Sequence, residues 1–429
     1  MAKLLIAITG QAGITNASLE LSRRLLAAGH EVTLAAPRDI GQKVGPLGIP
    51  FLRLPTINER PELGGEALST TNQQGNRWTR LQERFRKRKI NRLRSLALTD
   101  PTDFTQILDR LQPDVLICDV ELHEYIITAY RRGLQLFLLS QWYSLWDRPG
   151  LPYLLHDTIP GEGWAGSRLA LWLSWQKIRW QRRWMHKKIA LLSFGSDRRS
   201  TLLTLATREG FPRRFIRKSF WPGAFTYEGL PVLAMAPFEM EFPHRPLSFL
   251  HYIGPMVYAN RPEQAVSDLP AIFDRQERTG AKLLLCTVST MAGVHDDFLL
   301  RLVRAVAPRP DWLLILGLGG QNDEFELAEG VDNVYAFSYV PQLRVLARAD
   351  LSINHGGIHT IHECLHFRVP MLVYSGKRSD QNGCAARVHF HGLGLMADRD
   401  QDTPTAIRAK INYVLSEESF QEKTARMHN

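Results

Sequence analysis

The chain has 429 residues, of which 44% are hydrophobic and 22% are charged. This composition supplies enough apolar material for two substantial cores, and it excludes a disordered, collagen-like or small disulfide-stapled protein. Lysine and arginine outnumber aspartate and glutamate by 53 to 43, which gives a formal net charge of +10. A charge of this size and sign favours nucleic acid or an anionic membrane surface as a partner.

Short apolar runs rich in β-branched residues recur along the chain, and helical patterns separate them. This alternation predicts two open parallel sheets covered by helices on both faces. We predict strands in the first half at residues 4–9, 31–36, 51–54, 114–118, 134–139 and 232–236. In the second half we predict them at residues 282–287, 312–316, 333–337, 351–354 and 370–374. The proline-containing interval 237–254 is predicted to be a linker between the two groups.

The first helix has recognisable end signals. Thr15 or Asn16 can cap its start, and Gly29 can end it. Residues 56–110 and 141–230 fit the alternation of strands and helices poorly. We therefore interpret these two segments as insertions that line or cover a site.

The cysteines and the apolar runs indicate the cellular compartment in which the protein works. No uninterrupted apolar run of about 18 residues occurs, so no membrane-spanning helix is predicted. The apolar run at the N-terminus is too short for a secretory signal peptide. The four cysteines are Cys118, Cys286, Cys364 and Cys384. They are far apart and form no C-x-x-C pair, as is typical of proteins in a reducing compartment. We therefore expect a cytoplasmic protein, with any membrane contact peripheral and on the inner face.

The most informative cluster is a glycine turn between a predicted strand and a helix. The strand ends at Asn354, and Gly356 and Gly357 let the backbone turn and approach a ligand closely. The helix that follows starts with free N–H groups and the positive end of its dipole. Thr360, in its first turn, can add a hydroxyl donor. These features predict a seat for phosphate.

Three more polar residues follow this seat. Glu363 lies on the same helix face as Thr360 and can accept hydrogen bonds from ribose hydroxyls. Asp380 offers an acceptor for vicinal hydroxyls, and Gln381 offers both a donor and an acceptor. Together with the phosphate seat, they predict a site for a nucleotide-diphosphate sugar.

This arrangement resembles the donor-binding signature of the UDP-glycosyltransferase superfamily, whose members have the GT-B fold. The matching letters are H-G-G-x-x-T-x-x-E, then V-P, D-Q and A-A-R, between residues 355 and 387. An S-Y-V-P-Q element at 338–342 and a T-V-S-T element at 287–290 match the family's base-binding element and phosphate loop. The resemblance implies an α/β protein with two doubly wound, Rossmann-like domains that face a central cleft.

The resemblance also implies domains and residue roles. Residues 1–240 would bind the acceptor and residues 241–429 the nucleotide sugar, with the last helix able to pack back on the N-terminal domain. The diphosphate would be held around Thr287, Ser289, Thr290, His355, Gly356, Gly357 and Thr360. The base and ribose would contact Tyr339, Gln342 and Glu363, and the sugar would contact Asp380 and Gln381. Cys384 replaces the asparagine that the family usually has.

A second motif overlaps the donor signature. His362, Glu363 and His366 fit H-E-x-x-H, which on a helix can bind zinc with the glutamate as general base. Nothing after His366 supplies the extended pattern of the metzincin proteases, and the larger match already uses Glu363. We therefore favour the glycosyltransferase interpretation, which implies a reaction without a metal or another cofactor.

The general base is missing from its usual place. In the resembled family, the turn before the first helix supplies a histidine or, in some antibiotic-pathway members, an aspartate that takes the acceptor's proton. Counting back from Gly29 places this position at Ile14, which cannot accept a proton. Another group can serve as base, with Asp119 the leading candidate and Glu121 and His123 close by. Alternatively, the acceptor needs little deprotonation, or the protein binds a nucleotide sugar without transferring it.

The excess positive charge is concentrated in two stretches. Residues 77–94 contain nine lysines and arginines and one acid, and residues 168–188 contain seven and none. Half of the ten tryptophans lie between Trp164 and Trp184. Aromatic residues beside cations on a helix suit an anionic bilayer surface, and no groove-reading motif supports nucleic acid. In the alternative interpretation, the tryptophans line the acceptor cleft or pack internally.

The sequence therefore predicts an inverting glycosyltransferase. It would move a hexose from a UDP- or dTDP-linked donor to a hydrophobic natural product or lipid. A catalytically silent nucleotide-sugar-binding protein is the alternative, because Ile14 occupies the usual base position.

Overall fold

The computed structural model of the protein describes residues 1–55, 100–143, 145–217, 223–287, 297–320 and 328–428, with five further positions between 86 and 95. The chain forms two compact units, and each is built on a parallel sheet. The first unit comprises Met1–Gln141, Leu173–Met235 and Arg245–Met256, and the second comprises Trp142–Trp172, Ala236–His244 and Val257–Asn429. The predicted fold class, α/β with two Rossmann-like halves, is confirmed. The division expected at 240/241 matches the units in outline only, because the chain passes between them several times.

The sheet of the first unit has seven strands, and every neighbouring pair is parallel. Its strands are β1 (Lys3–Ala7), β2 (Glu31–Ala36), β3 (Phe51–Arg53), β4 (Val115–Asp119), β5 (Gln135–Ser140), β8 (Val232–Ala234) and β9 (Leu250–Tyr252). They are arranged in the order β3-β2-β1-β4-β5-β8-β9. A separate antiparallel pair consists of β6 (Ile216–Arg217) and β7 (Thr226–Tyr227).

Six of these seven strands confirm the sequence prediction within a few residues at each end. Strand β9 does not, because it lies inside the interval 237–254 that was predicted to be a linker. It is only three residues long, and its place in the sheet depends on parallel pairing with β8. A short strand without alternation leaves no pattern that separates it from a loop.

The helices of the first half, taken in chain order, are α1 (Ala12–Ala27), α2 (Gly41–Val44), α3 (Thr102–Leu111), α4 (His123–Arg131), α5 (Arg168–Leu192) and α6 (Arg198–Arg208). Helix α1 begins earlier than predicted, with Gln11 as its N-cap residue. The proposed cap at Thr15 is wrong, because its hydroxyl donates to the carbonyl oxygen of Gln11 at 2.7 Å from inside the first turn. Gly29, with a φ of +84°, follows the end of the helix as predicted. Among the described residues, no helix has the length and apolar character that a membrane crossing requires.

The sheet of the second unit has six parallel strands in the order β12-β11-β10-β13-β14-β15. They are β10 (Lys282–Thr287), β11 (Trp312–Gly317), β12 (Val334–Phe337), β13 (Leu351–Asn354), β14 (Met371–Tyr374) and β15 (Gly394–Ala397). The helices are α7 (Leu269–Thr279), α8 (Asp297–Val306), α9 (Gln342–Leu346), α10 (Ile358–His366), α11 (Gln381–Phe390), α12 (Pro404–Ser416) and α13 (Glu418–His428). The last helix, α13, belongs to this unit, where Phe420 joins the core around Trp312 and Leu314.

A buried ion pair ties an early segment into the second unit. Arg387 of α11 and Glu241 are at most 1% exposed, and the Arg387 Nε donates to Glu241 at 2.7 Å. The guanidinium lies over the rings of Tyr143 and Phe242. Removing one member of such a pair leaves an uncompensated buried charge, which typically costs ~3–5 kcal/mol. Arg387, part of the A-A-R letters, thus has a structural role.

Each sheet has one point at which the strand order changes direction. In the first sheet it lies between β1 and β4, and in the second between β10 and β13. The connections that leave two such strands run to opposite sides, which opens a crevice at the carboxyl ends where ligands bind. Thr9 and Asp119 lie at the first of these points, and Thr287 and His355 lie at the second.

Candidate functional site

A tight glycine turn joins β13 to α10. Gly356 has a φ of +82°, and a Cβ at this position would lie 2.9 Å from the carbonyl oxygen of Gln381 and 3.0 Å from Val373 Cγ1. The side chain of Asn354 closes the turn, because its Oδ1 accepts a hydrogen bond from the Gly356 N–H at 2.9 Å. Only glycine fits this conformation and this space. The turn therefore brings the start of α11 close to the start of α10.

Helix α10 begins without a side-chain cap. Gly357 is its N-cap residue, and glycine has no side chain to cap the first-turn N–H groups; among the described residues, no side-chain cap hydrogen bond forms there. The end of the helix therefore keeps free donors and a partial positive charge, a combination that binds anions. Thr360 lies in this first turn and is partly exposed. The predicted phosphate seat therefore offers donors of the kind that an anion requires, and its role stays a prediction.

His355 and Thr287 face each other beside this seat. The His355 Nδ1 lies 3.5 Å from the carbonyl oxygen of Thr287, and burial lowers the pKa of the imidazole. Because a carbonyl can only accept, the hydrogen of the neutral ring is on Nδ1. The Thr287 hydroxyl is buried and has no partner among the described residues. A buried hydroxyl without a partner at the end of β10 marks a place where a polar ligand fits. Ser289 and Thr290 lie outside the described residues.

Glu363 lies further along α10 and organises a polar cluster. Its carboxylate accepts a hydrogen bond from Gln342 Nε2 at 2.5 Å and forms an ion pair with Arg261. The Glu363 and Arg261 side chains are 9% and 15% exposed. Burial raises the pKa of Glu363, and the Arg261 charge opposes this increase. The structure thus brings together Gln342 and Glu363, the two residues predicted for base and ribose.

Arg261 and its neighbour Glu263 were not among the residues predicted for the site. Both lie in irregular chain before α7, where no periodicity or motif identifies them. Arg261 lies 3.6 Å from Glu263 as well as against Glu363. Glu263 in turn accepts the backbone N–H groups of Leu343 and Arg344 at 3.0 and 3.1 Å, and so caps the short helix α9. The only sequence feature that could have pointed to these two residues is the tripeptide R-P-E at 261–263, which follows the linker.

Tyr339 lies between β12 and α9, three positions before Gln342. Its side chain is 57% exposed, although most aromatic side chains of this unit are buried. An exposed ring face is suited to stacking on a planar base. The position of Tyr339 is therefore compatible with the role that the resemblance implies.

The predicted sugar ligands lie at the start of α11. Asp380 and Gln381 are 6% and 7% exposed, and burial raises the pKa of Asp380. The Gln381 Oε1 accepts the backbone N–H of Gly376 at 2.9 Å, which leaves its amide NH₂ group for a ligand. Cys384, the residue that departs from the family pattern, donates its S–H to Asp380 Oδ2 at 3.3 Å. The Asp380 carboxyl thus shares its acceptor capacity with a thiol.

In the first unit, Asp119 ends β4 at the change of strand direction. It is 1% exposed, and its Oδ2 accepts the Thr9 hydroxyl at 3.2 Å while its Oδ1 accepts the Glu121 N–H at 3.0 Å. Burial raises the pKa of Asp119, and the charge of Glu121 raises it further, to about 7. A carboxyl that titrates near neutral pH has the proton affinity that general-base catalysis requires.

Two other positions near the expected base, Ile14 and His123, are buried. Ile14 is fully buried in the first turn of α1, so this position contributes to the core and not to chemistry. His123 is 1% exposed, its Nδ1 lies 2.9 Å from the Tyr227 hydroxyl, and burial lowers its pKa to about 3. An imidazole with that pKa is neutral at physiological pH. Asp119, with a pKa of about 7, therefore stays the leading candidate for the base, and Glu121, whose pKa burial also raises, lies two positions further on.

The H-E-x-x-H residues are occupied by protein contacts. The His362 Nε2 lies 3.4 Å from the Tyr143 hydroxyl, and the ring is 2% exposed. Glu363 is held by Arg261 and Gln342. The His366 ring contacts Phe367 and His428. Across the described ranges, no group of three His, Cys, Asp or Glu side chains converges as metal ligands would.

Two doubly wound parallel sheets, with polar sites at the points where the strand order changes direction, define a protein of the GT-B fold. A crystal structure of the glycotransferase of kitacinnamycin superposes with a TM-score of 0.69 at 20% identity, covering 100% of this chain and 94% of that one. At this identity the likeness shows the fold alone.

Sequence comparisons show which proteins the chain resembles. Residues 311–429 match the family described as erythromycin biosynthesis protein CIII-like, C-terminal domain. Zeaxanthin glucosyltransferase of Pantoea ananas is 26% identical over 219 residues, which is 50% of this chain and 47% of that protein. Oleandomycin glycosyltransferase of Streptomyces antibioticus is 31% identical over 134 residues, 31% of each chain. The matches thus span less than half of these relatives. These similarities support the resemblance of the chain to the UDP-glycosyltransferase superfamily.

Proposed function

We propose that the protein is an inverting glycosyltransferase that moves a hexose from a UDP- or dTDP-linked donor to a hydroxyl group of a hydrophobic acceptor. The observation that carries this proposal is the start of α10, which lacks a side-chain cap, beside the buried Thr287 hydroxyl; neither has a side-chain partner among the described residues. These groups lie where the second sheet opens, and the Glu363 cluster lies on the same helix.

On the donor side, the diphosphate binds at the N–H groups that start α10, with Thr360 and His355 as additional contacts. Tyr339 stacks on the base, and Gln342 and Glu363 bind the ribose. The Glu363 carboxylate has about four acceptor positions, of which Gln342 and Arg261 use two. The remaining positions are available to ribose hydroxyls. Asp380 and Gln381 bind the hexose, and Ser289 and Thr290 complete the phosphate loop.

Transfer then needs no metal. The bond between the anomeric carbon and the diphosphate oxygen breaks while the acceptor oxygen forms a bond from the opposite face. Negative charge develops on the departing diphosphate, where the preorganised N–H groups of α10 stabilise it. The acceptor's proton passes to the Asp119 carboxylate. A positioned base of this kind typically accelerates the reaction ~10²–10⁴-fold.

The acceptor is a lipid-soluble alcohol or phenol. The names of the relatives, zeaxanthin and oleandomycin glycosyltransferases, support this class of acceptor. We also propose that the protein works in the cytoplasm and reaches such acceptors at the inner face of the membrane.

The direct test is incubation with UDP-glucose or a dTDP-hexose and a panel of hydroxylated isoprenoids and macrolides. The readouts are released nucleotide and an acceptor whose mass has risen by one hexose. Glu363→Gln should lower turnover at subsaturating donor, whereas Glu422→Gln on an exposed position of α13 should leave it unchanged. Failure of every donor to bind would contradict the proposal.

Ile14 favours one other candidate, a protein that binds nucleotide sugars without reacting. The residue is fully buried in α1, so no proton acceptor is available at the usual position. Donor binding without nucleotide release or transfer, in all acceptors tested, would support this alternative.

A further inference from the structure

Helix α5 carries an apolar stripe on its exposed face. Leu173, Trp180, Trp184 and Leu191 are 47%, 63%, 58% and 76% exposed. Their spacings of seven, four and seven residues repeat every eleven positions. At 3.6 residues per turn, these four side chains fall within about 40° around the helix axis. They form a nearly straight row about 27 Å long.

This row is not the face that α5 uses to pack on the protein. The packed face carries Trp175 and Ile178, which are 6% and 8% exposed and lie on the opposite side of the helix. The helix is therefore apolar on two sides. The inner side explains the folding of α5, and the outer row has no part in the core.

The charge around the row has one sign. Helix α5 contains seven lysines and arginines and no aspartate or glutamate. Lys177, Lys187 and Lys188 are exposed on the same side as the row. Burial lowers the pKa of Arg179, and the charges of Arg217 and Arg183 lower it further, as expected where cations are crowded.

We propose that this outer face of α5 docks the protein on an anionic lipid bilayer. Because the row runs along one side of a straight helix, all four side chains can contact a flat membrane surface at once. Its tryptophans suit the headgroup region. The lysines on either side can extend to lipid phosphates while their stems cover apolar surface. The Trp180 and Trp184 rings already contact each other, with centroids 6.3 Å apart, and the Lys187 ammonium lies 5.7 Å from the Trp184 ring.

The same face fits other partners less well. RNA would bind the cations but leave Leu173 and Leu191 in water. A second copy of the chain would bring another seven cations against these seven, with no acids on the helix to pair them. An anionic lipid bilayer, in contrast, matches both the cations and the exposed apolar side chains of the helix. The other basic stretch, 77–94, lies almost wholly outside the described residues.

Vesicle flotation tests the proposal with the full chain. The protein should float with phosphatidylcholine vesicles that contain phosphatidylglycerol, remain behind with phosphatidylcholine alone, and dissociate at high salt. Lys187→Gln with Lys188→Gln should weaken partitioning ~25-fold, at roughly five-fold for each cation at an anionic surface. Trp180→Ala with Trp184→Ala should weaken it roughly ten-fold or more.

Matched control variants distinguish binding through this face from the effects of net charge and of exposed apolar side chains elsewhere. Lys43→Gln with Arg278→Gln removes two exposed cations elsewhere and should not change partitioning. Leu300→Ala with Tyr413→Ala removes two exposed apolar side chains elsewhere and should also bind normally. Equal loss in test and control variants would overturn the proposal. So would tighter binding to RNA than to vesicles, or a lipid-free dimer that the tryptophan changes abolish. None of these measurements uses a sugar donor, so their outcome is independent of the transfer activity.

Discussion

Arg261 forms an ion pair with Glu363, although 102 positions separate the two residues in the sequence. The arginine fixes one carboxylate oxygen, and Gln342 fixes the other. The carboxylate proposed to bind ribose is therefore held in one orientation before any donor arrives. Such preorganisation lowers the cost of binding.

Arg261→Gln should weaken donor binding more than it slows the chemical step. Without the guanidinium, Glu363 loses a partner and its orientation, so KM for the nucleotide sugar should rise about ten-fold while kcat changes little. The unfolding free energy should fall by ~1–3 kcal/mol, less than for a fully buried pair. Arg278→Gln, on an exposed position of α7, is the control and should change neither value. A fall in kcat at unchanged KM would contradict a positioning role.

Gly356→Ala should destabilise the second unit by ~2–4 kcal/mol. The left-handed backbone costs ~1–2 kcal/mol for a residue with a Cβ, and the contact with the Gln381 carbonyl adds to it. Gly29→Ala is a matched control, because its φ of +84° is similar but its Cβ would meet nothing within 4 Å. Chemical denaturation of both variants isolates the contribution of the contact. Equal decreases in unfolding free energy in the two variants would show that the contact with the Gln381 carbonyl adds nothing.

The pH dependence of turnover should report Asp119. Because the pKa of Asp119 is raised to about 7, kcat/KM should fall about ten-fold for each pH unit below that value. Glu121→Gln removes a charge that raises this pKa, and so should move the acidic limb of the profile to lower pH. Asp119→Asn should reduce turnover ~10²–10⁴-fold. An Asn variant with the wild-type rate would eliminate Asp119 as the base.

The same carboxyl should make folding stability fall as pH rises. The native state holds the Asp119 proton up to about pH 7, whereas the unfolded chain releases it near its ordinary pKa of about 4. Between these values the native state binds more protons, so the unfolding free energy decreases with pH by ~2–4 kcal/mol. Asp119→Asn should remove this slope. Denaturation at several pH values between 4 and 8 measures it, and an unchanged slope in the variant would assign it to other groups.

The His355 imidazole should take up a proton when the donor binds. Burial lowers the pKa of this imidazole, so it is neutral at pH 7 with its hydrogen directed at Thr287. A diphosphate beside Nε2 stabilises the protonated form and raises that pKa. Calorimetric titration with UDP, in buffers of different ionisation enthalpy, should therefore reveal uptake of a fraction of a proton. His355→Gln should remove this fraction, and an identical buffer dependence in the variant would contradict the assignment.

Local sequence predicts this fold well wherever a strand is long enough to show a pattern. The bounds of β2, β10 and β13 agree with prediction at both ends, because apolar runs there stop at clear turns. The glycine turn at Gly356 could also be predicted, since its conformation is encoded locally. Strand β15, by contrast, was missed, because it starts with Gly394 and has four residues whose pairing with β14 is not visible in the sequence.

The parts of the site that could not be predicted are long-range pairs. Arg261 becomes part of the site only through its contact with Glu363, and its own neighbourhood in the sequence is an irregular loop. The raised pKa of Asp119 likewise depends on complete burial between β1 and the residues that follow β4. Neither burial nor a distant partner follows from residue type and spacing.

The buried pair of Arg387 and Glu241 limits how this chain can be recombined with its relatives. An exchange of halves at position 240/241 would keep this pair but separate it from Tyr143, whose ring covers the guanidinium. It would also separate Gly383 from the Leu154 backbone, which lies so close that no larger residue fits there. A chimaera that carries residues 142–172 along with the C-terminal half should fold, whereas one cut only at 240/241 should be degraded.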